Sequence, residues 1–176
     1  MSARVGGWLI ALAVAAAALF AVATAPRTPP PLGRGAQAPA FELTRLEGGT
    51  LSLGELRDRV VLVNFWATWC KPCEDEMPAM DRLYANLRDE GFELVAISVD
   101  DGREEVERFQ ERLGLAFPIL LDPDKGVSQR YQTYRFPESF LVDREGVIVE
   151  RYIGPKEWDA PAYEKRVRRL LEAGRG

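Results

Sequence analysis

Apolar and polar positions along this chain follow two rhythms. "FELTRLEGGTLSL", from Phe41 to Leu53, alternates with a period of two around Gly48-Gly49, which predicts an N-terminal β-hairpin. "GELRD" then has room for one helical turn. "RVVLVNFWA", Arg59 to Ala67, is almost continuously apolar, the pattern of a strand buried on both faces in a parallel sheet. From Lys71 to about Asp89 the period becomes helical, with Met77, Met80, Leu83, Tyr84 and Leu87 recurring. "FELVAISVD" predicts a second buried strand ending near Asp100. "GREEVERFQERLG" predicts an amphipathic helix with Val106, Phe109 and Leu113 on one face and Gly114 at its end. "FPILLD" predicts a short strand and "DKGVSQRYQ" a short helix. "ESFLVDREGVIVERYIG" predicts a hairpin around Glu145-Gly146, and "APAYEKRVRRLLEAG" a closing helix. Strands that alternate with helices predict an α/β fold: a mixed central sheet, parallel at its core, flanked by helices and finished by an antiparallel hairpin. No internal repeat interrupts the pattern.

The first residues break it. "VGGWLIALAVAAAALFAVATA", Val5 to Ala25, is 21 uncharged residues behind a single Arg4. At about 1.5 Å per residue such a helix spans a hydrocarbon core of about 30 Å. It reads as a membrane anchor or a cleaved signal peptide. The anchor is preferred, because the small-residue site "ATA" is followed by Pro26, which resists the peptidase; "AVA" before Thr24 is the better cleavage site. Either reading exports the domain to the extracytoplasmic side. "APRTPPPLGRGAQAPA" is rich in proline and glycine and predicts an extended tether. The predicted organisation is therefore an anchor over 1–25, a tether over 26–37 and one domain over 38–176.

Composition narrows the function. The chain has 176 residues, 47% hydrophobic and 28% charged, which suits one globular domain with a full core. A net charge of −4 without a basic block argues against nucleic acid as a partner. There is no histidine, which removes the commonest metal ligand and the usual proton shuttle near neutrality.

The two cysteines stand in "NFWATWCKPCEDEMP", as Cys70-Lys71-Pro72-Cys73, where the buried strand gives way to a helix. Cys70 therefore falls near a helix N-cap, where unpaired N–H groups and the dipole favour an anion. The thiolate is that anion and the reactive form of the side chain. Lys71 adds positive charge, and Pro72 sits in the first turn, where a missing N–H is harmless. At i and i+3 the sulfurs can close a small ring that opens again by exchange. A structural zinc site needs four N or S ligands and the chain offers two. Copper shuttling would want histidine or methionine ligands, and Met77 and Met80 have a core role. A permanent disulfide over so few residues would remove little chain entropy. Thiol peroxidase sites carry a hydroxyl three residues before the attacking cysteine and a proline further upstream; here those places hold Ala67 and Asn64. A redox-silent chaperone or metal-carrier module on the same fold is the competing class, and retention of both cysteines argues against it.

"VVLVNFWATWCKPC" resembles the thioredoxin superfamily, specifically its exported, membrane-anchored TlpA/ResA/CcmG-type thiol:disulfide reductases. "RFPESFLVDREGVI" is similar to the second family motif, which implies a cis peptide bond between Phe136 and Pro137. The long span between Cys73 and Pro137 resembles the extra strand–helix insert of this family, here around 102–121. The resemblance implies that Cys70 attacks a substrate disulfide and Cys73 resolves the mixed disulfide. It further implies that Pro137 packs against the disulfide, that the Phe136 backbone pairs with an extended substrate peptide, and that Trp69 contacts substrate while Trp66 packs. No cofactor beyond the Cys70–Cys73 disulfide is implied. The implied partners are a protein substrate carrying a CxxC disulfide, apocytochrome c being the family's usual one, and a membrane thiol electron donor.

Thioredoxin carries a proton-handling aspartate in its buried strand. The matching residue here is Asn64, which does not titrate. Glu76 is the candidate replacement. At about 100° per residue it falls near the centre of the apolar helix face, whereas Asp75 points away and Glu74 lies on the flank. Burial there raises a carboxyl pKa towards the range useful for moving a proton at Cys73.

Overall fold

A computed structural model describes Trp8, residues 13–20, Thr24 and residues 31–173. Trp8, 13–20 and Thr24 are helical and exposed. Among the described residues no helix is long and apolar enough to cross a membrane. The rest of the predicted anchor, and the first part of the tether (26–30), lies outside them.

The folded unit begins at Leu32. Seven strands form one sheet: β1 (Glu42–Arg45), β2 (Thr50–Ser52), β3 (Val60–Trp66), β4 (Phe92–Ser98), β5 (Ile119–Leu121), β6 (Glu138–Val142) and β7 (Ile148–Ile153), in the order β2-β1-β5-β4-β3-β6-β7. β3, β4 and β5 run parallel, β6 pairs antiparallel with β3, and β7 pairs antiparallel with β6. The N-terminal hairpin joins the sheet by antiparallel pairing of β1 with β5. The insert strand is thus what receives it. The expected α/β architecture, mixed sheet, hairpin and insert are all present.

β3 is buried at every position, as its unbroken apolar run requires. Its side chains alternate between two cores. Val60, Leu62 and Trp66 face a core covered by α1 (Lys71–Leu87), α2 (Arg103–Leu113) and α4 (Pro161–Ala173). Val61, Val63 and Phe65 face a second core closed by Leu53 and Leu56 of a short 3-10 turn and by Val127 of α3 (Gly126–Arg130), with Tyr131 just beyond it. Met77, Met80, Leu83 and Leu87 of α1 are fully buried, each worth ~1.5–3 kcal/mol of burial. Tyr84 and Leu113 are only half-buried, at the margins of their helical faces.

The second core has an unexpected cover. Residues assigned to the tether form a strap. Gly35 N–H donates to the Ile148 carbonyl and the Ala36 carbonyl accepts from Ile148 N–H, both at 2.8 Å, and Leu32 packs on the second core. The tether's proline and glycine content does predict an extended chain. It does not show that this chain pairs with Ile148, at the start of the outer edge of β7.

Candidate active site

β3 ends at Trp66, and four residues later the chain enters α1 with Cys70 as its N-cap. The turn between is clamped by Asp100. Its Oδ2 accepts from Thr68 N–H at 2.9 Å and from the Ser98 hydroxyl at 2.8 Å, and its Oδ1 accepts from the Thr68 hydroxyl at 2.8 Å. The Thr68 hydroxyl is thereby committed to structure. The clamp escapes sequence reading because Asp100 and Thr68 belong to different strand ends that only the parallel pairing of β3 and β4 brings together.

Cys70 and Cys73 form a disulfide across the first turn of α1. Cys73 N–H donates to Cys70 Sγ at 3.3 Å, the anion-favouring arrangement of a helix N-terminus. Cys73 is fully buried and Cys70 is 6% exposed, so Cys70 is the more accessible of the two sulfurs. Pro72 lies in the first turn and is exposed. Lys71 is exposed, and its ammonium is 2.8 Å from Asp75 and 3.6 Å from Glu74. Those carboxylates hold its pKa above the usual lysine value and draw its charge down the helix.

The Phe136–Pro137 peptide is cis. β6 starts directly after it, with Glu138 opposite Phe65. Pro137 therefore stands at the end of β3 from which the cysteine turn departs. The ring of Phe136 meets Trp69 edge-on, centroids 5.9 Å apart. Trp69 is 70% exposed, Tyr134 82% and Ile153 57%, so the residues near the cis-proline loop carry exposed apolar surface. A groove of about 170 Å³ extends it, lined by Tyr134, Arg135, Glu138, Arg151 and Ile153. Trp66 is fully buried against Phe109, centroids 4.7 Å apart.

Glu76 is 2% exposed. Its Oε1 accepts from Asn64 Nδ2 at 2.9 Å; its Oε2 accepts from Lys156 N–H at 3.0 Å and from Trp158 Nε1 at 2.9 Å. Every donor is uncharged, and among the described residues no cation forms an ion pair with the carboxyl; the Lys156 charge adds only the weakest downward pull on its pKa. Burial raises its pKa to about 7, and the three hydrogen bonds oppose that rise. Asn64 Nδ2 also donates to the Ser139 hydroxyl at 2.9 Å, while its Oδ1 is buried without a partner. That orphaned acceptor belongs to the amide that already touches Glu76. It is where a protonated Glu76 can place its hydrogen once the amide turns over. Asn64 does not titrate, but it is built to accommodate a neighbour that does. Trp158 and Lys156 were not legible in the sequence. The one available signal was a fourth tryptophan in a polar loop, because a buried indole N–H needs a partner.

Among the described residues no group of three or more His, Cys, Asp or Glu side chains is placed to hold a metal ion.

Comparison with known proteins agrees with this chemistry. The AhpC/TSA family model matches residues 34–151. The thiol-disulfide oxidoreductase ResA of Bacillus thuringiensis (strain Al Hakam) is 41% identical over 120 residues, 68% of this chain and 69% of that one. ResA of Geobacillus kaustophilus is 42% identical over 120 residues, with the same shares. Among solved structures, a thiol:disulfide interchange protein of the thioredoxin family from Chlorobium tepidum TLS superposes with a TM-score of 0.68 at 26% identity, covering 78% of this chain and 97% of its own.

Proposed function

The chain belongs to the AhpC/TSA family, among its ResA-type thiol-disulfide oxidoreductases, and on that premise we propose that it reduces disulfides of exported proteins with Cys70 as attacking thiolate and Cys73 as resolving thiol. The observation that carries the assignment is the Cys70–Cys73 disulfide at a helix N-terminus, with Cys70 the accessible member.

In the reduced protein the Cys70 thiolate attacks one sulfur of the substrate disulfide. That bond breaks, a mixed disulfide forms, and the other substrate sulfur leaves as a thiolate. Cys73, once deprotonated, attacks Cys70 Sγ. The mixed disulfide breaks, the Cys70–Cys73 bond forms, and two electrons have passed to the substrate. Glu76, one helical turn from Cys73, takes the Cys73 proton. A carboxyl with a pKa of about 7 suits that task near neutrality. Trp69 and the loop ending in Phe136 and cis-Pro137 receive the substrate chain in extended form. A lysine–proline pair between the cysteines, with the Lys71 charge drawn towards Asp75, stabilises the thiolate less than a histidine would and favours the reducing direction.

The preferred substrate is the CxxC disulfide of apocytochrome c, and the electron donor is a membrane thiol carrier. Residues 5–25 act as the anchor that keeps the domain on the extracytoplasmic side. Trapping tests this. Cys73→Ser leaves Cys70 joined to its natural partner, and the partner is identified from the mixed disulfide. Apocytochrome c in the trap supports the preferred substrate. A small thiol in place of any protein would overturn the reading.

A further inference from the structure

The first two residues after the cis proline hang on different networks. Ser139 faces the first core and joins Asn64 and Glu76. Glu138 faces the second core, is 2% exposed, and meets Arg151. Arg151 Nε donates to Glu138 Oε1 at 2.5 Å. Its Nη1 donates to the Leu32 carbonyl and its Nη2 to the Gln132 carbonyl, both at 2.9 Å. The guanidinium also lies over the Phe140 ring, 5.2 Å from its centroid. The Gln132 side chain closes the circuit, accepting from Leu32 N–H at 2.8 Å.

One rigid fork thus grips both ends of the segment 133–137, at Gln132 before it and Glu138 after it. Gln132 has a φ of 53°, a left-handed conformation that a glutamine holds only when its surroundings impose it. Between the two grips the segment has few ties of its own. Thr133 N–H reaches the Ser128 carbonyl at 3.0 Å and the Pro137 carbonyl accepts from Gly154 N–H at 2.9 Å, while Tyr134 is exposed and the Thr133 hydroxyl has no partner. Ordering a loop on binding lowers affinity, and ordering it beforehand restores that affinity. A planar guanidinium with donors in fixed directions serves three separate acceptors at once; an ammonium is a point charge that does not.

We propose that Arg151 is the positioning residue for the substrate-recognition loop Thr133–Pro137, and that the docked strap at Leu32 is part of the same brace. The inference rests on the reading that this loop receives the protein substrate. Its consequence is a split. The brace governs affinity for a protein disulfide and leaves the cysteine chemistry alone.

The experiment compares the full-length wild type with Arg151→Lys, using insulin as the protein disulfide. The control reaction is alkylation of reduced Cys70 by iodoacetamide across pH. The expected result is a KM for insulin raised roughly tenfold, the equivalent of ordering one or two long side chains, with kcat and the alkylation profile unchanged. Leu32→Pro, which deletes the N–H that reaches Gln132, raises KM in the same sense by a smaller factor. It carries the test if Arg151→Lys fails to fold. An unchanged KM in Leu32→Pro and in a folded Arg151→Lys overturns the inference, as does a fall in kcat and alkylation rate in step with the KM change. A wild type that reduces no protein disulfide, while its cysteines alkylate normally, overturns the functional reading instead.

Discussion

Glu76 and Glu138 are both 2% exposed, and both networks meet at the start of β6, yet they answer burial in opposite ways. Glu138 faces a guanidinium that matches its charge and ties three chain segments together. Glu76 has only neutral donors, so burial raises its pKa to about 7. A buried carboxyl without a counter-ion has its pKa raised; a buried ion pair with further hydrogen bonds can serve as a brace. The lesson is a division of labour across the sheet. The helix-covered face holds a carboxyl able to change charge near neutrality, and the strap-covered face holds one that ties chain segments together through Arg151.

The most severe way to break this contrast is Glu138→Ala. It leaves the Arg151 guanidinium in a largely buried place with two carbonyls but no anion. Removing one partner of a buried pair costs about 3–5 kcal/mol. Thermal unfolding of the oxidised protein should show a Tm lower by roughly 10 °C. A shift of only a degree or two would mean that the pair is as weak as a surface one.

Glu76→Gln sharpens the other half. The folded pKa of Glu76 lies above the ordinary glutamate value of 4.5, so between there and about 7 the folded chain keeps a proton that the unfolded chain releases. The resulting stability is full below pH 4.5, declines as pH rises through that interval and is gone above it. The interval corresponds to roughly 3 kcal/mol. Glutamine holds the neutral state at every pH, and the spare Asn64 Oδ1 gives its amide an acceptor. Urea unfolding at pH 5 and pH 8 should therefore show the variant gaining on the wild type at the higher pH. Disulfide exchange should slow roughly a hundredfold near pH 7, the lower end of the range for general acid–base catalysis, and recover as pH rises. Parallel pH profiles for both proteins would remove Glu76 from the chemistry.

The two halves of this contrast were unequally legible. Glu76 stood out because a helix repeats every 3.6 residues, and an acid in phase with Met77, Met80 and Leu83 has nowhere to go but inward. The CxxC turn and the strand before it were equally plain, since continuous apolar character and a motif of fixed spacing are local properties. Glu138 and Arg151 gave no such sign. A strand with charges on an edge reads as solvated, and here the covering element is the strap, whose Leu32 lies 119 residues from Arg151 in the chain. Trp158 reaches Glu76 across 82 residues from a loop with no periodicity at all. Local pattern shows which face is buried. It does not show which distant segment will cover it, and the counter-ion or donor comes with that cover.

The mildest change tests whether neutral donors really set the behaviour of Glu76. Trp158→Phe keeps an aromatic ring beside Tyr152 and Tyr163 but deletes the indole N–H that donates to Oε2. That bond stabilises the ionised carboxylate, so its loss favours the protonated form and pushes the Glu76 pKa further up. Hydrogen bonds to charged groups are worth about 1.5–3 kcal/mol, and Lys156 N–H and Asn64 remain to offset part of the loss. The exchange–pH profile should move to higher pH by about one unit, with the rate at high pH unchanged. The direction is what matters. If the indole only packed, the profile would stay where it is and stability alone would fall; if a cation controlled the site, removing a neutral donor would move nothing.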